Sequence, residues 1–249
     1  MKSAYLGIRK NKLVPVDFEN VEEVENFDIT QLPVSNGITL PTKMTDELAE
    51  EIGIHIGDGH LSKDRYRYKI FGNVDESEYY ENFVSKIYRN LYGKQVKITR
   101  RKDNTIGFEF CSKSIWFFKT AVIGLQAGRK DHIHAPSVII ESGSNVLRSF
   151  IRGLFDTDGN VYFQSRYGYE KYYPVISFTS VSKELWMDVC NILVKLGFKI
   201  YAYKFRNDFI IKLYGYENIL KYHREIGWHN SKHTNKFIKW KEKYPELVK

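Results

Sequence analysis

Polar and apolar positions along this chain keep two different periods. Arg65, Arg67 and Lys69 alternate with Tyr66, Tyr68 and Ile70, the two-residue period of a strand with one buried face. Before and after that stretch the apolar positions recur at helical spacing. The pattern predicts a helix from about Asp46 to Asp58, with Thr45 as its N-cap and Asp46 and Glu47 in the first turn, where carboxylates favour the positive helix end. A strand follows over 65–72, then a helix over 76–91 that ends near Gly93. Strands over 95–101 and 105–111 turn at Asp103-Asn104, and a helix covers 114–125. After a loop through Pro136 the order recurs. A helix over 145–158 is capped by Ser144, strands cover 160–165 and 173–180, and a helix over 183–196 is closed by Gly197. Strands over 199–205 and 209–214 turn at Asn207-Asp208, a helix covers 217–226, and a Lys-rich helix ends the chain. The reading is an α+β fold of two pseudo-symmetric lobes, each αββαββα, with the repeat carried by pattern more than by letters. Residues 1–44 hold an acidic run punctuated by Pro15, Pro33 and Pro41 and form an N-terminal extension of short strands or loops. The first lobe then covers 45–140 and the second 141–249.

The helices that open the two lobes share a register. Glu51-Ile-Gly-Ile-His-Ile-Gly-Asp-Gly59 and Ile151-Arg-Gly-Leu-Phe-Asp-Thr-Asp-Gly159 both stop at an Asp-Gly, 100 residues apart. Ala49, Gly53 and Gly57 stand four residues apart in the first, and Ser149, Gly153 and Thr157 at the same offsets in the second. Small residues at this spacing make one smooth stripe along a helix and let two backbones approach closely. Glycine inside a helix costs about 0.5–1 kcal/mol relative to alanine, and close helix–helix packing is the natural compensation. If the stripes face each other, Asp58 and Asp158 come side by side at two negative helix ends. That arrangement is electrostatically poor unless a divalent cation joins it. Carboxylates and carbonyls suit Mg²⁺, and two carboxylates holding Mg²⁺ beside a basic surface suggest hydrolysis of a phosphodiester.

Composition adds a partner. Lys and Arg outnumber Asp and Glu by 38 to 30, a net charge of +8 that favours a polyanion such as nucleic acid. Two well-separated cysteines offer no disulfide framework, and neither a signal peptide nor an apolar run long enough to span a bilayer is present. The expectation is a soluble, intracellular protein of the cytoplasm without a membrane partner.

These residues resemble the LAGLIDADG family of homing endonucleases, in its two-motif monomeric form. Gly53-Ile-His-Ile-Gly-Asp-Gly59 is similar to the first dodecapeptide motif and Phe150-Ile-Arg-Gly-Leu-Phe-Asp-Thr-Asp-Gly159, the closer match, to the second; Ile56 stands where the first motif often has an acid. The resemblance covers about residues 45–240. It implies a monomer whose motif helices pack at the lobe interface and whose four-stranded sheets form a saddle over the DNA major groove. It implies that Asp58 and Asp158 bind the catalytic metals, Mg²⁺ or Mn²⁺, with the carbonyls of Gly57 and Thr157 contributing. The implied product is a double-strand break with short 3′ overhangs. Family members often place a basic residue near each site, after the last helix of each lobe. Lys232 in Ile226-Gly-Trp-His-Asn-Ser-Lys232 matches that pattern. In Gly128-Arg-Lys-Asp-His-Ile-His-Ala-Pro136 the strict position carries Ile133, with Lys130 or His132 as substitutes; Lys130 is the candidate carried forward. A complete intein would begin with Cys or Ser and end in Asn, whereas this sequence runs from Met1 to Lys249 and resembles a free-standing, intron-encoded endonuclease.

A DNA-facing strand carries polar residues at every second position. Arg65, Arg67, Lys69, Lys97, Thr99 and Arg101 fit this in the first lobe, and Gln164, Arg166, Ser177, Thr179, Tyr201 and Tyr203 in the second. A solvated sheet face is the plain alternative for any one of them. Asp156-Thr-Asp-Gly-Asn160 starts like a calcium loop, but Tyr167 stands where the twelfth-position Glu belongs. His132/His134 and His229/His233 could hint at zinc; with no cysteine nearby they read as histidines of a DNA-binding loop. Two functions therefore compete: a Mg²⁺-dependent site-specific endonuclease on double-stranded DNA, and a non-cleaving protein on the same fold, either an RNA-splicing maturase that binds intron RNA or a DNA-binding regulator.

Overall fold

The computed structural model describes residues 5–9, 12–16, 27–33, 37–166 and 171–248. Strands β1 (Tyr5–Arg9) and β2 (Lys12–Val16) pair as an antiparallel hairpin. Most of the acidic run that follows lies outside the described residues. In the first lobe, α1 (Asp46–Asp58) leads into β3 (Gly59–Leu61) and β4 (Arg67–Asn73). The next helical run holds a 3-10 turn (Val74–Glu76), α2 (Ser77–Tyr79), a π-helical turn (Tyr80–Val84) and α3 (Ser85–Tyr92). Then come β5 (Thr99–Arg100), β6 (Thr105–Cys111), α4 (Lys113–Phe117) with a π turn (Phe118–Val122), and a short α5 (Ser137–Ile140). The second lobe runs α6 (Ser144–Thr157), β7 (Gly159–Ser165), β8 (Lys171–Ser180), α7 (Lys183–Lys195), β9 (Ile200–Phe205), β10 (Asp208–Tyr214) and α8 (Tyr216–Glu225). Helix α9 (Ser231–Lys243) and a 3-10 turn (Pro245–Val248) follow.

Local chemistry explains most boundaries. The Thr45 hydroxyl accepts from the Leu48 N–H at 3.1 Å, and Ser112, Ser182 and Asn230 cap α4, α7 and α9 in the same way. Gly93 closes α3 in the left-handed region at φ 62°. Three expectations shift. The cap of α6 is Gly143, with Ser144 already inside the helix. The strand expected over 65–72 begins at Arg67, because Arg65 and Tyr66 take positive φ (58° and 48°) in the turn that joins it to β3. The strand expected over 95–101 keeps regular pairing only at Thr99–Arg100.

The two sheets have the same layout, β3-β4-β6-β5 and β7-β8-β10-β9, all antiparallel. Each turns one face to its own helices: Tyr68, Ile70, Ile106 and Phe108 in the first, Ile176, Phe178, Ile211 and Leu213 in the second, all buried. Burying a side chain of this size contributes roughly 1.5–3 kcal/mol. Between the lobes α1 lies directly on α6. A Cβ placed on Gly53 would sit 2.3 Å from the Phe150 carbonyl oxygen, and one on Gly153 2.1 Å from that of Glu50. Ala49 and Ser149 are buried in the same stripe. No helix among the described residues is long and apolar enough to cross a membrane.

Candidate active site

Because α1 and α6 meet along their small-residue stripes, they end together. A Cβ on Gly57 would touch the Thr157 side chain and stand 3.4 Å from the Asp158 carboxyl carbon, so Asp58 and Asp158 arrive in one place. Burial pushes the Asp58 carboxyl up to about 7, with the nearby Asp158 and Glu76 charges adding to the shift; the Tyr80 hydroxyl, which donates to Asp58 Oδ2, and Lys130 work against it. Asp158 is pushed up to about 6, first by burial and then by Glu76, with Lys130 opposing. Asp158 is nevertheless exposed, so solvent screening tempers its shift more than that of the half-buried Asp58.

Lys130 closes the C-terminal end of α1. Its ammonium donates to the carbonyl oxygens of His55, Ile56 and Gly57 at 3.2, 2.8 and 2.7 Å, with its own pKa lowered by burial. The Gly57 carbonyl, expected to face a metal, therefore accepts from Lys130. The Thr157 hydroxyl turns back to the carbonyls of Gly153 and Leu154. Lys232 donates to Glu76 Oε1 at 3.3 Å, an acid it shares with the Asn230 side chain at 2.9 Å. His132 lies away from this centre, beside Glu184 at 3.7 Å.

Glu76 and Tyr80 are site residues that the sequence reading missed. Glu76 had a local signal: with Asn73 it forms a capping box, each side chain accepting from the other's backbone N–H. Tyr80 opens a π-helical turn, a feature often found beside functional groups. Neither signal says that the side chain reaches the helix ends.

The strand registers gather the polar positions. In the first sheet Lys69 lies opposite both His60 and Glu109, Arg67 opposite Cys111, and Thr99 opposite Gly107. Arg67, Lys69 and Thr99 therefore share the face turned away from the core. Arg101 joins it just beyond β5, its guanidinium 3.4 Å from the Phe71 ring centroid and paired with Glu109 at 3.1 Å. Arg65, in the turn, and Lys97, ahead of β5, are exposed outside the paired strands. In the second sheet Ser177 lies opposite Asn160 and Lys212, Gln164 opposite Tyr173, Ile210 between Thr179 and Tyr203, and Lys212 opposite Tyr201. These form one face with Lys212, which the sequence reading did not single out. Arg166 follows β7, its guanidinium 3.4 Å from the centroid of Tyr173.

The chain thus has two matched lobes, with two carboxylates brought together at adjoining helix ends. Residues 145–227 match the LAGLIDADG-like domain family, so the chain carries a LAGLIDADG-like domain in its second lobe, and the two-lobed fold is that of the LAGLIDADG proteins. The structure resembles a mesophilic variant of the homing endonuclease I-DmoI with a TM-score of 0.52 at 14% identity, over 73% of this chain and 90% of that one. A complex of I-DmoI with DNA and Mn gives 0.51 at the same identity, over 73% and 96%. The N-terminal LAGLIDADG domain of DUF199/WhiA gives 0.51 at 16% identity, over 76% and 87%. The fold is thus shared by homing endonucleases and WhiA-like proteins. Among curated relatives, the replication factor C small subunit of Methanocaldococcus jannaschii is 31% identical over 154 residues, which are 61% of this chain and 7% of that protein. The replicative DNA helicase DnaB of Rhodothermus marinus is 25% identical over 234 residues, 86% of this chain and 24% of that protein. The chain spans at most about a quarter of the length of these two relatives.

Proposed function

We propose that the chain is a site-specific endonuclease that hydrolyses phosphodiesters of double-stranded DNA with Mg²⁺ or Mn²⁺, leaving short 3′ overhangs. The convergence of Asp58 and Asp158 at the ends of two touching helices carries this reading. Nothing in the packing of α1 on α6 calls for acids at that point, and both carboxyls are pushed toward neutrality by their surroundings. Hard oxygen donors whose ionisation is opposed by burial fit a small divalent cation. Asp58 and Asp158 would hold it, and when bound it would supply charge stabilisation and an activated water.

The remaining groups have roles of their own. Tyr80 fixes the rotamer of Asp58 through its hydroxyl. Lys130, already desolvated on the α1 carbonyls, presents positive charge to both aspartates and to a phosphate beside them. Glu76 and Asn230 hold Lys232 on the second side. Arg67, Lys69 and Lys212, with the neighbouring hydroxyls and amides, face the duplex for phosphate and base-edge contacts. One chain supplies both halves of the centre, so the active form is a monomer.

The test is incubation with Mg²⁺ of DNA carrying the uninterrupted insertion site of the reading frame. Double-strand cleavage is expected, and Asp58→Asn and Asp158→Asn should each abolish it while site binding persists. The likeness to the WhiA domain favours a second reading, a DNA-binding protein that does not cut. Wild-type protein that binds its site and never nicks it with metal present would establish that reading instead.

A further inference from the structure

We propose that Glu50, Asp156 and His229 form a second cation site, separate from the aspartate pair, that holds a dication of the zinc class between the two lobes. One ligand atom from each of the three residues lies within 4.8 Å of the other two. They come from α1, α6 and the segment leading into α9, so Glu50 belongs to the first lobe and the other two to the second. His229 is 179 residues from Glu50 and 73 from Asp156 in sequence, which is why the histidine, without a neighbouring cysteine, reads as an ordinary loop residue in the sequence alone.

The independent observation is at Asp156. This side chain is fully buried, and its Oδ2 accepts from the backbone N–H groups of His229 and Asn230 at 2.9 and 3.2 Å. Among the described residues its Oδ1 has no partner, although a buried carboxylate oxygen left alone costs about 1–3 kcal/mol or more. The Tyr79 and Tyr222 hydroxyls, both within electrostatic reach of Asp156 and Glu50, and the Arg152 Nε also lack partners among the described residues. Unsatisfied buried polar atoms in such number call for an explanation, and a bound ion supplies one.

Charge and ligand chemistry select the occupant. Arg152 pairs with Glu50 Oε2 at 2.7 Å and so neutralises one of the two carboxylates. Arg152 also acts on Asp156 electrostatically, but Asp156 makes no ion pair of its own among the described residues, and burial opposes its charge. One imidazole nitrogen and two carboxylate oxygens are a ligand set for Zn²⁺, which takes three protein ligands and leaves a fourth position to water; Mg²⁺ disfavours nitrogen. The His229 side chain is 41% exposed, which leaves an entry path on its side. Its Nδ1 lies 2.5 Å from Glu50 Oε1, closer than two ligands on one zinc (roughly 3.4 Å for donors about 2.1 Å from the ion), so the ion would part them by about 1 Å.

The inference does not rest on nuclease activity, and its test avoids it. Full-length protein carrying Asp58→Asn and Asp158→Asn is stripped with chelator and titrated with Zn²⁺ by calorimetry and with Co²⁺ by visible absorption. One saturable equivalent is expected, with intense Co²⁺ ligand-field bands and a Tm raised by several degrees on Zn²⁺ addition. Adding Asp156→Asn or His229→Gln should weaken that equivalent at least tenfold. His229→Gln alters a half-exposed side chain and keeps the backbone contact to Asp156, so it tests the site even if Asp156→Asn fails to fold. No saturable equivalent, or one that survives His229→Gln unchanged, overturns the proposal and leaves these polar atoms to water and protons.

Discussion

The Lys119 ammonium lies 2.6 Å from Glu51 Oε1, and neither side chain is exposed. The hydroxyls of Tyr68, Tyr88 and Tyr92 close around the same carboxylate. Removing one member of a buried pair strands the other, at a cost of about 3–5 kcal/mol. Lys119→Met should therefore lower stability by that amount. Glu51→Leu combined with Lys119→Met should cost clearly less than the two single changes summed. Urea denaturation of the three variants measures this, and strictly additive losses would show that the pair is not coupled.

Gly153 tests the contact between the lobes. An added methyl would meet the Glu50 carbonyl at 2.1 Å, and a backbone atom cannot swing aside as a side-chain tip can. Gly153→Ala should cost about 1–3 kcal/mol or more despite alanine's better helix propensity. A thermal melt at or above the wild-type Tm would mean that the helices do not touch there.

The aspartate pair makes stability fall as pH rises. The folded protein holds protons on Asp58 and Asp158 up to about 7 and 6, whereas the unfolded chain releases them near 3.8. Between about pH 4 and 7 the folded state binds more protons, so its stability declines across that window and levels off above it. In EDTA the Tm of wild type should drop from pH 4 to 7 relative to the Asp58→Asn/Asp158→Asn double variant. Divalent metal at pH 8 should recover part of the loss. Parallel Tm–pH curves for the two proteins would refute the assignment.

Lys212 sits at the middle of the polar face of the second sheet, opposite both Ser177 and Tyr201. If that face meets DNA, Lys212→Ala should weaken binding several-fold. It should also reduce the slope of log K against log salt by about 1 for a phosphate contact. An unchanged slope with weaker binding would point to base reading instead, and no change in either would remove this face from the interface.

What the sequence disclosed divides by range. Helices α1 and α6 were legible because period, cap and stripe all sit within a dozen residues, and the stripe's purpose follows from the cost of glycine in a helix. Strand β3 was missed because three residues, Gly59–Leu61, are too few to show a period. Arg65 was assigned to a strand because alternation runs on through a turn, and only its positive φ reveals the break. Glu50, Glu76 and Tyr80 were not singled out, since their partners lie on other elements. Glu51 and Lys119 were invisible for a further reason: charged residues at core positions look like surface until the fold buries them together.

The charged contacts across the lobe boundary bear on how this molecule could be recombined with its relatives. Glu50 and Glu76 belong to the first lobe; Arg152, Asn230 and Lys232, which bond to them, belong to the second. A chimera that keeps one half and borrows the other would bring together backbones that fit and charges that do not. Grafting a new sheet face onto either lobe leaves this set intact, so new target specificity is best sought by exchanging strands within a lobe, not by exchanging lobes.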